Sequence, residues 1–173
     1  MGIITAASII IPDKTFAAIE TSLSPERRLS LYNIHTEEFL DTVYWKDGHY
    51  VPGALAEINQ LFRDWRTGKI KPINPELLEL LFDLREKLGN TKPFCIVSGY
   101  RTPRSNAILK KTQKGVARNS LHMYGKAVDI RLPGYSLRSL RSTAIELKQG
   151  GVGYYPYSKF LHLDVGDIRS WTG

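Results

Sequence analysis

The stretch Ser120–Asp129 (SLHMYGKAVD) constrains the architecture of this chain more than any other, because it puts His122 and Asp129 on a backbone that must turn between them. Gly125 permits the reversal after His122, and Lys126–Leu132 then alternates as a half-buried strand does, with Ala127, Asp129 and Arg131 sharing one face. Phe160–Val165 (FLHLDV) repeats the pattern downstream. Period-two geometry puts Phe160, His162 and Asp164 on one side of it and Leu161, Leu163 and Val165 on the other. The apolar side is expected to face a core and the polar side a site. Two imidazoles and one carboxylate from strand or loop ends make up the three-ligand set with which an open zinc site keeps a fourth position for water. His122, Asp129 and His162 are therefore the expected ligands, and Zn²⁺ the expected cofactor.

The pattern Ser-x-His-x-x-Gly-x-Ala-x-Asp followed by His-x-Asp resembles the zinc D-alanyl-D-alanine peptidases of bacterial cell walls, whose fold is shared with the hedgehog signalling domain. Arg101 in Ser98-Gly-Tyr-Arg101, the run Gly150–Pro156 (GGVGYYP) and the early Leu29–Thr36 (LSLYNIHT) extend the likeness to the branch of periplasmic murein endopeptidases. It covers nearly everything from Arg27 onward. The resemblance implies an α+β fold of the hedgehog/DD-peptidase kind, an antiparallel sheet with helices packed on one side. It implies zinc-dependent cleavage of the peptide stems of peptidoglycan, and export to the periplasm or cell envelope. Arg101 would hold the carbonyl oxygen or carboxylate of the substrate, a task suited to a permanently charged guanidinium fork.

One position departs from the family. In the carboxypeptidase relatives an acidic residue three places before the second histidine acts as general base, and here that place is Lys159. Asp164 is the nearest substitute and is assigned a catalytic contribution; its alternative role is to accept a hydrogen bond that fixes the imidazole tautomer of His162. Ser120 is expected beside the ligands in a supporting role, since no separate histidine base is assigned to it. The missing acid at Lys159 also supports a second reading, a zinc-containing cell-wall binding module of weak or no activity.

The 173 residues, 42% hydrophobic and 24% charged, are the composition of one globular domain, expected over 27–173. Residues 1–26 are expected to form a tail or the remnant of an export signal. The run Ile3–Ile11 has signal-core length and is too short for a stable membrane span, but no Lys or Arg precedes it. A lone Cys95 excludes an internal disulfide. A net charge of +7, from 24 Lys and Arg against 17 Asp and Glu, favours an anionic partner. Carboxylate-rich wall polymer fits; nucleic acid does not, since zinc-finger spacing, an aromatic-basic RNA signature and a continuous basic helix are all lacking. A monomer is expected.

The remaining elements follow from period and punctuation. Arg27–His35 alternates as a strand, and Glu38–Val51 is its hairpin partner with a turn at Asp47-Gly48. Leu55, Ile58, Leu61, Phe62 and Trp65 mark one helix before Gly68; Asn74 caps a second that starts at Pro75 and stops at Gly89. Phe94–Ser98 is a buried strand, Pro103–Lys111 a short helix, and Lys114–Asn119 a basic loop. Ser136 caps the last helix, stopped by Gly150-Gly151, before a hairpin of Val152–Tyr155 with Phe160–Val165. His35 and His49 read as structural or solvent-facing, and Trp171 as a seal on the core or the pocket rim.

Overall fold

The structure, a computed structural model, describes residues 26–112 and 115–173. The expected tail over 1–26, except Glu26, lies outside the described residues, as do Gln113 and Lys114 of the basic loop.

Among the described residues eight strands form one sheet: β1 (Arg27–Asn33), β2 (Phe39–Lys46), β3 (His49–Tyr50), β4 (Phe94–Ser98), β5 (Ala127–Arg131), β6 (Gly151–Tyr155), β7 (Phe160–Asp164) and β8 (Arg169–Thr172). Their spatial order is β3-β2-β1-β4-β5-β7-β6-β8. Four helices accompany them among the described residues: α1 (Pro52–Leu61), α2 (Pro75–Leu88), α3 (Pro103–Thr112) and α4 (Leu137–Leu147), with a 3₁₀ turn at Leu121–Tyr124. The architecture is α+β, as the resemblance implies. The neighbours pair antiparallel except β1 with β4 and β6 with β8, which are parallel. Parallel neighbours need a long crossover, and the chain supplies the first through β2, β3, α1 and α2.

Alternation sorts the sheet into two faces. Leu29 and Leu31 of β1, Phe94 and Ile96 of β4, Val128 and Ile130 of β5, and Leu161 and Leu163 of β7 are all buried in one core. Against this face α1 packs on β2, α2 on β1 and α4, and α4 on β6 and β7. Each leucine or isoleucine sealed there is worth about 1.5–3 kcal/mol of transfer free energy. The opposite face carries Asp129, His162 and Asp164 and floors a cleft that α3 borders through Leu109.

The punctuation of α2 acts as written. Asn74 accepts the Glu76 N–H at 2.9 Å, Pro75 opens the helix and Gly89 closes it in the left-handed region. Ser136 caps α4 by accepting from the Ser139 N–H at 3.0 Å, while Lys148, not Gly150, takes the left-handed closing position. The Asp47-Gly48 turn, with φ of 51° and 80°, lies between β2 and β3 and so divides the segment expected to be one strand. The α1 pattern stops at Leu61, short of Trp65. There the Phe62 carbonyl accepts the Tyr100 N–H at 2.7 Å, and the Asp64 carboxylate takes the Thr102 N–H and hydroxyl at 2.9 and 2.7 Å. These bonds draw the chain off the helix and fasten it to the loop that carries Arg101.

Candidate metal centre

Pairing register assembles the site from distant parts of the chain. Ser98 lies opposite Asp129, Asp129 opposite His162, His162 opposite Gly153, and Gly153 opposite Trp171. This single row crosses five strands, β4-β5-β7-β6-β8. Glycine is required at 153 because a Cβ there would stand 2.6 Å from the Trp171 ring, which tilts over His162 with centroids 5.3 Å apart. His122 arrives from the 3₁₀ turn instead. Gly125 ends that turn at φ 66°, and its bare Cα faces the Pro72 carbonyl.

Hydrogen bonds fix both imidazoles. His122 Nδ1 lies 2.8 Å from the Gly99 carbonyl, which only accepts, so Nδ1 holds the proton and Nε2 presents a lone pair. His162 Nε2 lies 3.0 Å from Asp164 Oδ2, and the same reasoning turns its Nδ1 lone pair inward. His122 Nε2, His162 Nδ1 and Asp129 Oδ1 then converge, with mutual separations of 3.1, 2.9 and 3.3 Å. Three acceptors, two on the buried His122 and Asp129 and one on the half-buried His162, have no proton to share when both rings are neutral. That arrangement is unfavourable unless a cation joins them. Ligand atoms about 2.0–2.2 Å from a tetrahedral zinc are separated by about 3.3–3.6 Å; the His122–Asp129 separation meets this and the two to His162 are a few tenths of an ångström shorter, so the donor set fits a metal in type and needs only a small outward shift of the His162 ring.

The electrostatics agree. Burial works against the charge of Asp129, but His122 and His162 outweigh it and hold the carboxyl far below its usual range. Burial lowers the His122 pKa, with Asp129 in partial opposition. Burial also disfavours a charged His162, yet hydrogen bonds to Asp129 and Asp164 raise it to about 9. Without a metal, the positive charge demanded by the site is therefore a proton on His162.

Asp164 is fully buried. Its Oδ1 accepts from Arg169 Nη1 at 3.0 Å and the Gly166 and Gly151 N–H groups at 2.9 and 3.3 Å; its Oδ2 accepts from Arg169 Nη2 at 2.7 Å as well as from His162. Arg169 was not visible as a site residue in the sequence: it opens the short strand β8, and no apolar period marks it. Arg101 is 7% exposed, its Nη2 3.6 Å from Asp129 Oδ2, with Nη1 donating to Asn106 Oδ1 at 3.2 Å. Its buried Nε has no hydrogen-bond partner among the described residues. Ser120 precedes the 3₁₀ turn and lines the cleft without capping the turn through its hydroxyl. Lys159, at φ 56° in the β6–β7 turn, does not line the cleft but a smaller pocket that shares Arg131 with it. The cleft encloses ≈ 960 Å³, and Asp129 and Asp164 are the acidic side chains among its described lining residues.

A family model described as peptidoglycan L,D-endopeptidase MepK matches residues 21–171. The chain belongs to the peptidoglycan L,D-endopeptidase MepK family. The peptidoglycan L,D-endopeptidase MepK of Escherichia coli K12 is 38% identical over 171 residues, which span 99% of this chain and 93% of that protein. The probable MepK of Haemophilus influenzae is 34% identical over 174 residues, covering 100% and 92%. A zinc D-Ala-D-Ala carboxypeptidase of Streptomyces albus G is 29% identical over 127 residues, covering 69% of this chain and 48% of that one. The MepK match runs through β1 to β8 and includes every residue of the converging site.

Proposed function

We propose that this chain is a zinc-dependent murein endopeptidase, exported to the periplasm or cell envelope, that hydrolyses peptide cross-links of peptidoglycan. What carries the reading is the convergence of the His122, Asp129 and His162 lone pairs in a cleft that is open to solvent, in a chain of the MepK family. These three side chains would hold the ion. When bound, zinc supplies a Lewis acid that polarises the scissile carbonyl and brings the pKa of a water down toward about 7.

The protein's own groups do the rest. The Gly99 carbonyl and Asp164 hold the two imidazoles in the tautomers that ligation needs. Asp164 acts here as a positioning group, since Arg169 and two backbone N–H groups occupy the acceptor sites that His162 leaves. Arg101 is fastened by Asn106 at the edge of the site and would hold the oxygen of the carbonyl under attack. Its substitution by alanine is expected to retain zinc and lower kcat about 100-fold, the scale of losing one oxyanion donor. Unchanged turnover would remove that role.

The second reading, a zinc-containing binding module, is favoured by the turn of Lys159 away from the cleft. Digestion of purified sacculi, with and without a chelator, decides between them. Release of muropeptides that stops on chelation and resumes with added zinc is expected, and mass analysis of the fragments identifies the bond. Binding to sacculi with no fragment released by the zinc-loaded protein would establish the module instead.

A further inference from the structure

Four arginines line the cleft: Arg66, Arg101, Arg131 and Arg169. Two are engaged with acids of the site, Arg101 near Asp129 and Arg169 on Asp164. Arg66 and Arg131 form no ion pair among the described residues, although both occupy defined positions. The Arg66 guanidinium lies over the Trp65 ring at 4.1 Å, and its backbone N–H is held by Asp64 Oδ1 at 3.1 Å. Trp65 is itself stacked by His35 at 4.2 Å and 18°, and His35 Nε2 is tied to the Val97 carbonyl at 3.0 Å. Stacking uses the face of the guanidinium and leaves its N–H edge free, the edge that recognises a carboxylate bidentately.

Arg131 reaches the same end of the cleft from β5. It follows Asp129 by two residues on the same strand face, about 7 Å along the strand. One of its N–H groups donates to the Ser158 carbonyl at 3.1 Å and sets the side chain across the hairpin turn. Both cations lie close enough to His35 to disfavour its protonation, after burial, the larger cause. A peptide cross-link has a chemical feature that matches. Where the nitrogen of the scissile amide comes from an α-amino group, a carboxyl group sits on the carbon next to that nitrogen.

We propose that Arg66 and Arg131, flanking His35, form a seat for the free carboxylate of the cross-link residue adjoining the scissile amide. The seat rests on the endopeptidase reading and adds to it the substrate feature that sets register. It selects stems with that carboxylate free over stems in which it is amidated.

Two synthetic cross-linked peptides with the same scissile amide, one with this group as carboxylate and one as carboxamide, test the proposal on the zinc-loaded full chain. The carboxylate form is expected to be preferred by on the order of 10-fold to 100-fold in kcat/KM, the scale of a charge-assisted pair. In the Arg66→Gln/Arg131→Gln double variant the ratio falls to near one, while Arg66→Lys/Arg131→Lys keeps part of it and both retain zinc. Equal cleavage of the two peptides by the parent chain, or equal losses on both in the Gln variant, would overturn the seat. Calorimetric binding of the amine-side fragment in its carboxylate and carboxamide forms is read in parallel. If neither peptide is cut, the endopeptidase reading fails; equal affinity for the two fragments overturns the seat independently.

Discussion

At the scale of single residues, Asp164 separates two accounts of the chemistry. The sequence placed it on the same strand face as His162 but could not reveal Arg169, whose two nitrogens take an oxygen each. A base must have a lone pair to spare, whereas a positioning group needs only its bond to His162. Asp164→Asn is therefore expected to weaken zinc affinity about 10-fold to 100-fold, with turnover recovered in excess zinc. Turnover still lost at full occupancy would make Asp164 the base. The pH dependence has a defined sign. His162 titrates at about 9 in the metal-free fold against 6.5 ordinarily, so its contribution to stability is complete below about pH 6.5 and fades as pH rises through about 9. Asp164 and Asp129 are shifted down from 3.8, so their contributions hold above about pH 4 and fade on acidification. Zinc held by His122, Asp129 and His162 would have to displace the His162 proton, so its affinity should rise about 10-fold per pH unit from 6.5 toward 9. A zinc competition titration across that range checks it; a flat profile would remove the proton from the site.

Secondary-structure elements were legible wherever local chemistry sets them. Asn74, Pro75 and Gly89 bound α2 because capping, a missing N–H and a left-handed closing residue are local matters. The end of α1 was not legible, because Asp64 and the Phe62 carbonyl bind a loop nearly forty positions away. Strand β8 (RSWT) has no apolar alternation to announce it, and its parallel place beside β6 is set by register with Gly151–Tyr154. Two substitutions distinguish elements that hold the fold from those that aim the site. Asn74→Ala should lower stability by about 1 kcal/mol and leave zinc affinity alone. Gly125→Ala meets the Pro72 carbonyl at a left-handed φ, and should cost about 1–3 kcal/mol while also weakening zinc binding through His122. Denaturant midpoints and zinc titration of both variants compare the two; unaltered zinc affinity in Gly125→Ala would show that the turn does not aim His122.

For the molecule as a whole, one sheet serves two purposes because its strands alternate: one face fills with leucine, isoleucine and valine, and the other floors a basic cleft. The excess of Lys and Arg, +7 over the chain, is partly gathered there as four arginines of which two meet acids of the site. Composition favours an anionic partner, whereas the gathering of the arginines depends on strand order, which β1 and β4 reach only through a long crossover. Among the described residues no helix is long and apolar enough to cross a membrane. The scaffold matters to function through one cross-strand row, in which Asp129 and His162 become direct neighbours although far apart in sequence. The zinc content of the purified full chain, read by elemental analysis beside His122→Ala, Asp129→Ala and His162→Ala, tests this most directly. The account predicts one zinc per parent chain and roughly a tenth or less in each variant after dialysis; full occupancy in any of the three would contradict it.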